Sequence, residues 1–151
     1  MISANEFILV YNEVFRELDN RFGPEGTADL WKYFSDNFCR KLEGHVKKDG
    51  LKGMYDYWNG TLGEEGGRYT ITLREDEFII DMHYCPSVGK LLNTHVEPYH
   101  NYCGHCPALY KPVIERYGFL VDYYIIDPKK GACRIHVRTS EAPGYNGGDK
   151  V

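Results

Sequence analysis

Two segments, residues 69–84 and 120–138, each read as a pair of strands around a polar turn, and they restrict the folds open to this chain more than any other feature. In the first, Tyr69, Ile71 and Leu73 alternate with Thr70 and Thr72. After the polar Arg74-Glu75-Asp76-Glu77 turn, Phe78, Ile80, Met82 and Tyr84 alternate with Ile79, Asp81 and His83. Successive strand side chains point to opposite faces, so this period of two buries one face and wets the other. In the second, Leu120–Ile126 and Ala132–Arg138 flank Asp127-Pro128-Lys129-Lys130-Gly131, a turn by its composition. Two hairpins predict an antiparallel sheet of about four strands.

The remaining segments have helical spacing. Phe7, Tyr11, Val14, Phe15 and Leu18 recur at the helical period, with Ser3-x-x-Glu6 as a capping box and Phe22-Gly23-Pro24 as the stop. Thr27 caps a second helix with the stripe Leu30, Phe34, Phe38, Leu42 and Val46, ended by Asp49-Gly50. A shorter helical segment is expected at 51–58, and Gly60–Gly67 as a turn-rich connection. Between the hairpins a helical stretch follows Cys85, a loop surrounds Pro98, and a helix runs from Pro107 to about Tyr117 with Gly118 as its stop. The order helices, hairpin, helices, hairpin predicts an α+β fold with helices packed on one face of the sheet. Residues 1–139 are expected to form a single domain, and the Gly-rich polar segment 140–151 a disordered tail.

With 151 residues, 42% hydrophobic and 26% charged, the chain can build one sizeable core and a polar surface. A net charge of -4 argues against nucleic acid as a partner, because phosphate binding needs a basic face. No apolar run reaches spanning length, so no membrane partner is expected. Glu6 interrupts the first apolar stretch and no basic leader precedes it, which argues against a signal peptide. Five cysteines, an odd number, then fit a reduced cytoplasmic compartment better than a disulfide framework. The oligomeric state stays open, a homo-oligomer included.

Chemistry concentrates at two Cys-Pro dipeptides, Cys85-Pro86 and Cys106-Pro107, each read as opening a helix. Pro suits the first helical position because the N–H it lacks has no partner there. Each Cys would then face free backbone N–H groups and the positive end of the helix dipole, an environment that favours thiolate. Asp81, His83 and Cys85 fall on one face if the first hairpin's second strand runs to its end. Carboxylate, imidazole and thiol are the parts of an activated nucleophile. The plainer alternative leaves Asp81 and His83 facing water beside a capping Cys85.

The second cluster, His100-Asn101-Tyr102-Cys103-Gly104-His105-Cys106, contains one Cys-x-x-Cys. Such a pair can hold zinc or act as a redox couple. A four-ligand site would use Cys103, Cys106, Cys85 and His105, with His100 or Cys133 as substitutes. Cys133 shares a strand face with Ile135 and Val137 and reads as core, unless it points toward the same helix starts. Lys90, Lys111, Arg134 and Arg138 are the cations available to an acidic substrate, against the plainer reading that they face water. Glu64-Glu65 before Gly66-Gly67 offers a catalytic carboxylate pair, against the plainer reading of a solvated turn.

The segment 78–138 resembles the L-2-amino-thiazoline-4-carboxylic acid hydrolase family. The resemblance rests on Cys85-Pro86, on Tyr102-Cys103-Gly104-His105-Cys106, on Tyr117-Gly118-Phe119 and on Cys133-x-Ile135-x-Val137. It implies a small cytoplasmic bacterial protein that hydrolyses a C–N bond in a sulfur-containing heterocycle. The implied functional positions are Cys85, Cys103 or Cys106, and Cys133. The chain departs from the pattern where an acidic residue is expected after the middle Cys, since Cys106 stands there.

The leading expectation is a thiol-dependent hydrolase of a small cyclic amide or amidine. Cys85 or Cys106 would attack, His83 or His105 would move protons, and Cys133, Asp81 and Tyr102 would bind substrate. No cofactor is needed for that reading. The rival is a zinc- or ligand-binding protein without turnover, and the third reading is an interaction module whose Cys-Pro starts are only caps.

Overall fold

The computed structural model describes residues 4–140. Three helices come first: α1 (Ala4–Phe22), α2 (Pro24–Phe38) and α3 (Arg40–Glu65). Then follow β1 (Arg68–Leu73), β2 (Glu77–Tyr84), α4 (Pro86–Asn93), a 3-10 turn at Tyr102–Gly104, α5 (His105–Glu115), β3 (Phe119–Asp127) and β4 (Ala132–Thr139). The strands form one antiparallel sheet in the order β1-β2-β4-β3. Both expected hairpins are present, joined through β2 and β4, and the fold is α+β. The Ser3 cap and the segment after Ser140 lie outside the described residues. Among the described residues no helix is long and apolar enough to cross a membrane.

Register explains the layering. Ile80 lies opposite Ile71 on one side and Ile135 on the other, and Phe78 opposite Leu73 and Val137. Phe78, Ile80, Met82, Val121, Ile135 and Val137 are buried together with Leu42, Val46, Met54 and Trp58 of α3 and Val113 and Ile114 of α5. The opposite face carries Arg134–Asp81 at 2.6 Å, His136–Glu77 at 2.7 Å and Arg138–Asp122 at 2.6 Å. A second apolar cluster, around Phe15, Trp31, Leu91, Tyr99 and Tyr102, joins α1 and α2 to α4 and the 3-10 turn. Cys85 packs against both clusters.

Several helix boundaries differ from the sequence expectation. Pro24, not Thr27, opens α2, and Gly23 before it has φ 74. Thr27 is buried inside the helix, where its hydroxyl donates to the Phe15 carbonyl at 3.4 Å. The expected single helix breaks at Cys39 (φ -81, ψ 25), which turns Phe38 outward to 67% exposure. Asp49-Gly50, expected to end the helix, only kinks it: Gly50 has φ 55 and ψ -128, and α3 continues beyond it. The chain stays helical through residues 60–65, the expected connection. Gly66 makes the stop, in the left-handed region, with its N–H bonded to Gly63 O and the Gly67 N–H bonded to Leu62 O. That pair of bonds is the Schellman closure. Gly60 and Gly63 were insufficient to end the helix because Trp58 and Leu62 anchor this segment on the sheet.

Asn12 is a structural residue that periodicity does not reveal. It is fully buried on α1. Its Oδ1 accepts from the Tyr99 backbone N–H at 2.7 Å and its Nδ2 donates to Glu97 O at 3.1 Å. One amide thus ties α1 to the loop that leads into the 3-10 turn. Asn12→Ala leaves the buried Tyr99 N–H without a partner, while Glu97 O keeps its bond from Arg16, and is expected to cost roughly 2 kcal/mol in urea unfolding. An unchanged unfolding midpoint would remove this anchor from the account.

Candidate functional site

The topology gathers four of the five cysteines. Cys85, Cys103, Cys106 and Cys133 line one small void of about 30 Å³ together with Tyr102 and His105. Cys85, Cys106, Cys133 and His105 also face a larger cavity of about 280 Å³ between α1, α3, α4, α5 and the sheet. The fifth, Cys39, lies at the α2–α3 break.

Cys85 ends β2 and precedes Pro86, the first residue of α4, with an extended backbone (φ -72, ψ 125). The cap expected from the sequence is therefore present. Its thiol lies within reach of the Ser87 and Val88 N–H groups. The expected thiolate is not. Burial pushes the Cys85 thiol up to about 11, the neighbouring Cys106 pushes the same way, and the two N–H groups only partly oppose them. Desolvation by a packed interior exceeds the field of a two-turn helix. Part of that packing is Gly131 at the β3–β4 turn, whose φ is 64 and whose missing Cβ would overlap that of Cys85. Alkylation of Cys85 by iodoacetamide, followed by peptide mass spectrometry, is expected to rise about tenfold per pH unit from pH 7 to 9. A rate already at plateau near pH 7 would contradict the buried-thiol assignment.

Cys106 departs from the expected cap in position. The 3-10 turn runs straight into α5, so the helix begins at His105 and Gly104 is its cap. Cys106 is thus inside the first turn. Burial lifts its thiol to about 12, with the Glu65 carboxylate adding to the rise.

Its partner is His105. Nε2 of His105 lies 3.4 Å from Cys106 Sγ. Nδ1 is hydrogen-bonded to the Tyr102 carbonyl. A carbonyl only accepts, so Nδ1 carries the proton and Nε2 of the neutral ring presents its lone pair to the thiol. The ring is packed against Tyr11, Phe15 and Tyr102, with centroids 5.8, 5.9 and 5.0 Å away. Desolvation in that setting lowers the His105 pKa and keeps the ring neutral, with its Nε2 lone pair free to accept a proton. Tyr102 is itself held by Ser87, hydroxyl to hydroxyl at 2.7 Å. The arrangement is thiol, oriented base and orienting carbonyl.

Other expected site residues are placed elsewhere. Asp81 pairs with Arg134 on the solvent face, and exposed His83 is hydrogen-bonded to Thr70 Oγ1 at 3.1 Å. Cys85 turns inward at the strand end, so Asp81, His83 and Cys85 do not assemble. Asp81 accordingly lines neither cavity. Cys133 is opposite Met82 on the inner face and does reach the cavities. Cys103 lines only the small void of the two, its Sγ 4.0 Å from Pro128 O. Cys85, Cys103, Cys106 and His105 share a void, yet among the described residues no three His, Cys, Asp or Glu side chains are arranged to hold a metal ion. His105 spends one nitrogen on a carbonyl and aims the other at a thiol. Exposed His100 sits 3.7 Å from Asp19.

Sequence reasoning missed most of the cavity wall. Tyr11, Tyr57, Trp58 and Tyr110 line it, and periodicity assigns all such residues to plain core. Glu65, set aside as a solvated turn residue, lines it as well. No family model, no curated protein and no solved structure matches the chain.

Proposed function

We propose that the protein is a thiol-dependent hydrolase acting on a C–N bond of a small cyclic amide or amidine, the class implied by the family resemblance. The observation that carries this reading is the Cys106 Sγ–His105 Nε2 approach of 3.4 Å at the wall of a cavity of about 280 Å³. Cys106 attacks the carbon as its S–H proton passes to His105 Nε2, and the π pair moves onto oxygen or nitrogen. Collapse of the adduct breaks the C–N bond, and His105 returns the proton to the departing nitrogen. Water then attacks the thioester or thioimidate with His105 as base, and the Cys106 thiol re-forms. The void of about 30 Å³ behind the pair has room for one water molecule. The Ser87 and Val88 N–H groups beside Cys85 are the donors for developing negative charge.

A protonated thiol beside a neutral imidazole is compatible with this scheme, because the proton moves during attack rather than before it. The test is turnover of a panel of cyclic amides, cyclic amidines and 2-aminothiazolines, followed by ammonia or ring-opened product. Wild-type turnover lost in Cys106→Ser, with the fold retained, supports the reading. Turnover retained in Cys106→Ser, or absent from wild-type protein across the panel, overturns it.

A further inference from the structure

The charge of the ligand follows from what the cavity wall contains and what it lacks. Five aromatic side chains, Phe7, Tyr11, Tyr57, Trp58 and Tyr110, converge on it from α1, α3 and α5. Tyr57 and Tyr110 each pack edge to face against Trp58, with centroids 5.3 and 5.7 Å away. Among the described residues that line the cavity, Glu65 is the only one with a formal charge at neutral pH, His105 being neutral. Among the described residues no Lys or Arg lines it. The cations named from the sequence, Lys90, Lys111, Arg134 and Arg138, all lie outside its lining. Arg134 pairs with Asp81 and Arg138 with Asp122, each at 2.6 Å on the solvent face, and Lys111 lies 3.6 Å from Glu115.

Glu65 has no local reason to be acidic. It is the last residue of α3, just before the left-handed Gly66, at the negative end of the helix dipole. A carboxylate is disfavoured there. Ring faces carry negative potential and attract cations, and a carboxylate at the same wall adds to that field. A carboxylate ligand would be repelled by both.

We propose that this cavity takes a small cation with an aromatic or apolar body, an amidinium held against the aromatic wall and paired with Glu65, and rejects carboxylates. The inference rests on the hydrolase reading for the location of the site and adds the substrate's charge. It separates the chain from the carboxylate-bearing heterocycle in the name of the family it resembles.

Titration calorimetry with benzamidinium, benzamide and benzoate on the full chain tests it. These probes share a ring and differ in charge. Benzamidinium is expected to bind about tenfold or more tighter than either of the others. Glu65→Gln, an exposed helix-end change, should lose about that factor for benzamidinium and leave benzamide unchanged. Bound benzamidinium should also slow alkylation of Cys106, which fixes its location. Benzoate binding as tightly as benzamidinium, no benzamidinium binding, or a preference that survives Glu65→Gln each overturns the proposal. Binding is read without turnover, so the two readings fail separately. The predicted preference with turnover that survives Cys106→Ser sinks the hydrolase alone, and Cys106-dependent turnover with a benzoate preference sinks the amidinium alone.

Discussion

Cys106→Ser is expected to lower turnover by on the order of 10⁴-fold or more while the protein stays folded. Serine is smaller and its hydroxyl still reaches toward His105 Nε2, so packing and the neutral hydrogen bond are largely kept. What is lost is the nucleophile, because a neutral imidazole cannot activate an alcohol as it can a thiol without further help. His105→Gln should lower turnover by about 10²–10⁴-fold, the range for removal of a positioned base. The pairing makes the two effects non-additive. The double variant should be no worse than Cys106→Ser alone, since a base with no nucleophile to serve contributes nothing. Steady-state kinetics on the three variants, with circular dichroism to verify folding, checks this. Additive losses would mean that Cys106 and His105 act separately.

The second large effect concerns stability. Gly53→Ala is expected to destabilise the protein by about 3 kcal/mol. The backbone turns at Gly50, where φ is 55, and the two halves of α3 then fold closely past one another. A Cβ on Gly53 would overlap the backbone carbonyl of His45. Backbone cannot rotate aside as a side chain tip can, so the halves of α3 must separate. Leu42, Val46, Met54 and Trp58, which cover the sheet from both halves, would lose their packing. The control is Gly44→Ala, where a Cβ meets nothing within 4 Å and the change should be neutral or slightly stabilising. Urea unfolding of both variants gives the comparison. A Gly53→Ala midpoint equal to that of Gly44→Ala would contradict the close approach.

The sheet was legible because its signal is local. Alternation along Phe78–Tyr84 and the Asp127–Gly131 turn determine the hairpins with no knowledge of the rest of the chain. Helix starts and stops were less legible. Thr27 has the chemistry of a cap, but Pro24 after a positive-φ Gly23 opens the helix one turn earlier. Gly53 lowers helix propensity and is required by tertiary contact, which only the folded backbone exposes.

The site divided along the same line. Cys85 as a cap follows from Pro86, and sequence shows it. The protonation of that cap depends on what packs over it, including Gly131 from 46 positions further along the chain. Field arguments made on a bare helix end therefore predict the wrong ionisation. Likewise His83 and His105 are equal candidates on the strand and loop patterns. The choice is made by Tyr102 O, which fixes the His105 tautomer, and by the strand end, which turns Cys85 away from His83. Asn12 carried no signal beyond its being polar, and Glu65 was visible only as half of a carboxylate pair whose simpler reading was a solvated turn.

The most direct test of the Cys106–His105 assignment is to trap the covalent intermediate. Protein turning over a substrate from the cyclic amide and amidine panel is quenched in acid and digested, and the cysteine-containing peptides are weighed. The account predicts one acyl or imidoyl adduct, on Cys106, which accumulates further in His105→Gln if deacylation is the slower step. An adduct on Cys85, Cys103 or Cys133 with Cys106 unmodified would contradict it.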